Sequence, residues 1–289
     1  MAGPQRPLHE MRDYIRTFSL DTLPHGNQGY QRIVLQLVGH IGFGKSAVIN
    51  SCKCVLDDRE FIMYAEATNA QGAVTLKRTA YELTPTISIV DNRTVMIMKK
   101  MEVAEVYAQL GNFRPLNGPM KKNWKFDDYM TTLEDTELNP NYTDLTVPVL
   151  VYHSRHLHLD YEQEEIQTFL RECRLMTGFI PIVVITHKES QNTSEVRNQF
   201  IAMGAEQVIP VENYTTENRE RIWGKDTDIL IFLYNALQDV AFYMSYQRDL
   251  RRERLEKKKF LLKYMHDVEI EKKVQEALRM AEINRRQKR

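Results

Sequence analysis

Eight consecutive residues constrain this chain more than any other feature: Gly39-His40-Ile41-Gly42-Phe43-Gly44-Lys45-Ser46. They match G-x-x-x-x-G-K-[ST] without a gap. The apolar run QRIVLQLV precedes them and KSAVINSCKCVL follows. The first run reads as a buried strand ended by Gly39, and Lys45 to Leu56 reads as a helix. Each residue type in the loop has a physical reason. Glycines let the backbone turn successive amides, here from Gly39 through Ala47, inward onto phosphate oxygens. Lys45 supplies a point charge to the outer phosphates, and Ser46 offers its hydroxyl to Mg2+. The helix that starts there aims the positive end of its dipole at the anion.

The rest of the chain repeats the same grammar. Leu8, Met11, Ile15 and Phe18 step by three and four and predict a short amphipathic helix. LKRTAYEL and TISIVDN read as adjacent strands with a hairpin corner at Thr84-Pro85. Residues 99–110 read as a helix. Then VPVLVYH, Tyr161–Met176, IPIVVITH, Glu195–Met203 and EQVIPV alternate strand and helix, and DILIFLYNALQDVAFYM is a helix apolar nearly all round. Such alternation predicts an α/β fold with a mostly parallel sheet and helices on both faces. Residues 111–146, rich in Asn, Pro, Gly, Lys and Asp, are too long for a plain connector and read as a functional or mobile insertion.

Composition bounds the remainder. The 289 residues, 43% hydrophobic, suffice for one large domain with an appendage. Three cysteines make no disulfide framework and no metal spacing. The amino terminus lacks an apolar signal core and no run is long enough for a bilayer, so a cytoplasmic protein is expected. The zero net charge hides an asymmetry. Residues 248–289 hold 15 Lys+Arg against 8 Asp+Glu, leaving the body acidic by the same margin. That tail has no Pro or Gly and reads as a helix. Ile270, Val274, Ala277 and Ala281 form a short seam on it. A solvated helix or a contact with a partner helix suits it better than specific nucleic-acid binding. His153, His156 and His158 read as solvated loop histidines rather than a metal site.

The nucleotide is read further along. Thr186-His187-Lys188-Glu189 ends a strand on the side where such sheets bind ligands. Glu189 can accept from the two ring-edge donors that guanine has and adenine lacks, His187 can cover the base, and Asn213 can meet the guanine carbonyl. The same residues also read as an ordinary polar turn. With the loop, they resemble the interferon-induced protein 44 family, within the immunity-associated branch of P-loop GTPases. The shared features are GxIGxGKSxxxNS at Gly39–Ser51, Thr186-His187, and Asn213-Tyr214. The resemblance spans roughly residues 31–245 and leaves 1–30 as an amino-terminal helix and linker, and 246–289 as a helical extension. It implies a P-loop GTPase-like three-layer fold, GTP or GDP with Mg2+, and a possible role in innate immunity.

Two parts of that family's pattern are missing. Asp91 stands where a magnesium-holding Asp belongs, yet Asp91-Asn92-Arg93-Thr94 replaces the glycine of Asp-x-x-Gly with a β-branched residue. No switch threonine is evident before Gly72; Thr68 and Thr75 are the candidates. Arg78 and Arg93, the candidate arginine fingers, read as surface residues. Since phosphoryl transfer rests on positioning and charge, hydrolysis is expected to be slow or absent. Two functions stay open. One is a nucleotide-controlled switch or assembly protein, with a homodimer or partner at the switch surface or the C-terminal helix. The other is a pseudo-GTPase scaffold whose C-terminal helix binds partners. An ATP-dependent kinase or ATPase is disfavoured for want of a second strand-end acid.

Overall fold

A computed structural model describes residues 7–65, 78–91, 100–117, 126–136, 143–156 and 159–287. Among these residues the chain forms six strands and eight α-helices. They run as α1 Leu8–Thr17, β1 Arg32–Val38, α2 Lys45–Asp57, β2 Thr79–Thr84, β3 Ile87–Asp91, α3 Lys100–Leu110, α4 Phe126–Glu134, β4 Asp144–His153, α5 Leu159–Thr177, β5 Ile182–Thr186, α6 Thr193–Ala202, β6 Val208–Val211, α7 Trp223–Met244 and α8 Leu250–Gln287. None of the described helices is long and apolar enough to cross a membrane.

The strands make one sheet in the order β2-β3-β1-β4-β5-β6, parallel except for the β2–β3 hairpin. β4 is buried from Leu145 through Tyr152 and β5 along its whole length, so residues pointing to either side are covered. That pattern needs helices on both faces. Seven of the helices accordingly fall into two contacting groups, α1 and α2 against α7, and α3, α4 and α5 against α8, while α6 packs on β5 and β6. Register between β1 and β4 begins at Arg32, whose guanidinium grips Asp144 through two bonds of 2.9 Å.

Three features differ from expectation. Residues 111–146 are not merely an insertion: they contain α4, and β4 begins within them at Asp144. Phe126, Tyr129, Met130 and Leu133 follow the spacing of an amphipathic turn pair. Tyr129 and Leu133 are buried, and the Tyr129 hydroxyl donates to the Ala104 carbonyl at 2.6 Å. Trp124 lies outside the described residues. Second, α8 is continuous for 38 residues, and its first part is built into the core: Leu261 and Met265 are buried there, with Arg254 and Lys257.

Third, Arg78 is not a surface residue. It is the largest fully buried side chain, donating to Gln36 Oε1 (2.9 Å), the Arg114 carbonyl (2.8 Å) and the Gln109 carbonyl (3.1 Å). Burial lowers its pKa to about 10, with Asp144 and Glu105 opposing. A guanidinium so engaged ties β1 to α3 and is unable to reach a ligand.

At the opposite edge, Gln207 donates to Asp239 of α7 at 2.7 Å, while the buried Gln207 Oε1 has no hydrogen-bond partner. Burial, helped by Glu206, raises the Asp239 carboxyl to about 6, with the Gln207 bond opposing. A raised carboxyl binds its proton more tightly folded than unfolded, so stability falls as pH rises from about 4 to about 6. Asp239→Asn removes that cost and can donate back to Gln207. It is expected to stabilise the protein at pH 7.5 by about 1 kcal/mol after allowance for solvent screening. Urea midpoints at pH 7.5 and pH 5 would check this, with the gain shrinking at the lower pH.

Candidate functional site

The glycine loop sits at the carboxyl end of β1, flanked by β3 and β4, where the strand order reverses. Open α/β sheets bind ligands at that point. The loop is pressed against its neighbour: a Cβ on Gly39 would lie 2.3 Å from the Val151 carbonyl oxygen of β4. Gly44, the N-cap of α2, is left-handed (φ 88°), and a Cβ there would meet Thr186 at 3.2 Å. Both positions therefore require glycine.

Lys45 is enclosed, and its ammonium donates to the Gly39 carbonyl (2.9 Å) and the His40 carbonyl (3.0 Å). Burial pulls its pKa down to about 8, with Asp91 opposing. Ser46 and Asp91, far apart in sequence, come together: the Ser46 hydroxyl donates to Asp91 Oδ2 at 2.9 Å. Hydroxyl and carboxylate oxygens are the donors a hard cation such as Mg2+ takes, so the pair fits that ion. The first-turn amides of α2, including those of Lys45, Ser46 and Ala47, lack intrahelical acceptors. No acidic side chain occupies that turn. Amides, dipole and ammonium thus offer an electropositive end to an anion.

Thr186 braces the loop from β5, donating to the Phe43 carbonyl (3.0 Å) and the Tyr152 carbonyl (3.3 Å). Asn213, past β6, is buried with its Oδ1 accepting from Ser51 at 3.3 Å and its amide nitrogen close beside Gly44. It therefore supports α2 and the loop rather than reaching outward. His187 is left-handed (φ 59°), with its ring 4.1 Å from that of His153. Glu189 is exposed one residue beyond Lys188, which pairs with Asp228 at 2.6 Å. Ile41 stands in solvent at the loop crest. Thr68, Thr75, Arg93, Thr94 and His158 lie outside the described residues.

The histidines of the HSRHLH run that are described are not free in solvent. The His156 ring packs edge-on against Phe43 and Tyr152, and His40 against Phe43. His40 and His156 both approach the buried Glu162 carboxylate, at 3.6 and 3.3 Å. Burial lowers the pKa of His40 against the pull of Glu162, and that of His153 to about 4. The loop is thus backed by an aromatic and imidazole layer. No group of metal-binding side chains of three or more is present among the described residues.

Two further contributors escaped the sequence reading as individual roles. Asn50 of α2 accepts from the amides of Tyr64 and Ala65 (2.9 and 2.8 Å) and donates to the Ala65 carbonyl (2.9 Å). Ser51 donates to the Ala47 carbonyl and accepts from the Tyr214 amide at 2.9 Å. The spacing that places Asn50 and Ser51 four and five residues past Ser46, just over one turn along α2, was the available signal. With the geometry in hand, the chain was compared with known proteins: no model of a protein family matches it, and no curated protein is significantly similar.

Asn50→Ala strands the Ala65 backbone and the Tyr64 amide. It is expected to cost about 2 kcal/mol or more. Urea unfolding would measure this, and amide exchange would show protection lost at residues 64 and 65.

Proposed function

We propose that the chain is a guanine-nucleotide-binding protein of the P-loop GTPase type, with Mg2+ as cofactor and slow or absent hydrolysis. The observation that carries the reading is the convergence of the enclosed Lys45, the Ser46–Asp91 pair and the α2 amino terminus at one sheet position. In this reading the β- and γ-phosphates lie over the loop from Gly39 to Ala47. Lys45 would offer its ammonium to phosphate oxygens, and Ser46 and Asp91 would hold Mg2+, which would supply charge neutralisation there. Glu189 and His187 read the base, while Thr186 and Asn213 hold the loop to which it docks. The six-strand order with its single antiparallel edge is compatible with this class.

Slow hydrolysis follows from what the site lacks. Arg78, the candidate finger within the described residues, is committed to β1 and α3. Thr94 replaces the glycine whose amide would approach the γ-phosphate. A role in innate immunity rests on the family resemblance alone. Nucleotide would act as a switch, through a partner or dimer surface beside the site.

Calorimetry of GTP, GDP and ATP with Mg2+ tests this. The intact protein should bind GTP and GDP and prefer them to ATP. Lys45→Ala should weaken binding by about 100-fold, and Glu189→Ala should remove the guanine preference. Multiple-turnover GTP hydrolysis should fall below about 0.0004 per second, the rate of an unassisted P-loop GTPase. Failure of any nucleotide to bind would end the proposal.

A further inference from the structure

The last part of α8 leaves the domain. Arg254, Lys257, Leu261 and Met265 of the helix are buried, but every residue from Ile270 to Arg286 is exposed. At 1.5 Å per residue this is a projection of roughly 25 Å. It is not a solvated face throughout: Ile270, Val274, Leu278 and Met280 are 50–63% exposed. At 100° per residue, Ile270, Val274, Ala277 and Ala281 fall on one line, with Leu278 on one flank and Met280 on the other. Ile283 lies off this face.

The stripe is complementary to itself run backwards. In an antiparallel pair with twofold symmetry, the register that sets Ile270 against Ala281 also sets Val274 against Ala277, large against small in each layer. Asp267 and Arg285 are eighteen residues apart, five full turns, and so lie on the same flank of the stripe. Twofold symmetry brings each flank against its own copy. In that register Asp267 of one chain comes within one residue's rise of Arg285 of the other, within reach of the long arginine side chain, twice per dimer. In a parallel pair the twofold runs along the helices and sets opposite flanks together, so Asp267 and Arg285 do not meet. The charge gradient agrees: Asp267, Glu269 and Glu271 lie at the domain end, and Arg279, Arg285 and Arg286 at the far end.

We propose that residues 267–286 of α8 form an antiparallel helix pair with the same segment of a second copy of this chain. The seam and the Asp267–Arg285 contacts define its register. Nothing in this depends on nucleotide. Two heptads make a modest interface, so the dissociation constant should be on the order of tens of micromolar.

Sedimentation equilibrium of the full chain from about 1 to 200 µM is the test. The wild type should shift from monomer to dimer across that range, and Val274→Asp should remain monomeric. Asp267→Arg and Arg285→Asp should each raise the dissociation constant by about tenfold, and the double swap should return it to within about threefold of wild type. Because these side chains are exposed, circular dichroism and melting should be unchanged in all variants. A wild type monomeric at every concentration would overturn the proposal. So would a dimer that survives Val274→Asp, or single swaps that the double swap does not rescue. A wild-type monomer that instead binds vesicles of anionic phospholipid through this segment would assign the helix to a lipid surface.

Discussion

The ammonium of Lys45 is enclosed at the end of β1, where the carbonyls of Gly39 and His40 are its hydrogen-bond acceptors. A cation in that position has surrendered most of its hydration, and two neutral carbonyls only partly replace it. The lowered pKa reports the imbalance. Much of the surrounding structure is arranged to keep the loop from relaxing. Gly39 lies against the Val151 carbonyl, so the loop is unable to sink further, and Thr186 holds the Phe43 carbonyl from β5. Asn213 and Ser51 tie α2 to the end of β6. The loop is a preorganised concentration of donors whose natural complement is an anion.

This preorganisation explains which parts were legible in the sequence. The strand–loop–helix unit was readable because its residues are neighbours: apolar β1, the glycines and Lys45 are contiguous. The parallel sheet was readable because β4 and β5 are continuous apolar runs, as double burial demands. What was not readable depended on distant partners. Nothing in the local pattern of Arg78 distinguishes a surface arginine from one enclosed by Gln36, Gln109 and Arg114. Those partners arrive from β1, α3 and the segment after α3. His156 likewise read as solvated because its covering ring, Phe43, is more than a hundred residues earlier.

α4 is a different kind of miss. Its periodicity was present at Phe126, Tyr129, Met130 and Leu133 but short, and flanking Asn, Gly and Pro weighted the segment toward loop. The partner that stabilises it is tertiary: the Ala104 carbonyl on α3 receives the Tyr129 hydroxyl, and α8 lies alongside. A nine-residue helix is marginal alone and acquires its stability from such packing. Thr186 and His187 lie at the carboxyl end of β5, where the strand pattern put them, but Asn213 faces inward. Residue type alone did not separate an outward reader from an internal brace.

α3 joins the two ends of the molecule that carry function in these proposals. It starts a few residues beyond Asp91, and its first residue, Lys100, contacts Glu271 of α8 while its carbonyl accepts from Tyr264. From there α8 runs outward into the exposed stripe. A ligand alters a distant equilibrium only through an element that has two arrangements, each with its own affinity. α3 follows Asp91 in the chain and packs against the root of the projecting helix. If bound nucleotide repositions α3, then α8 pairing and nucleotide affinity are linked. Reciprocity then requires that a second copy change the affinity for nucleotide by the factor by which nucleotide changes pairing.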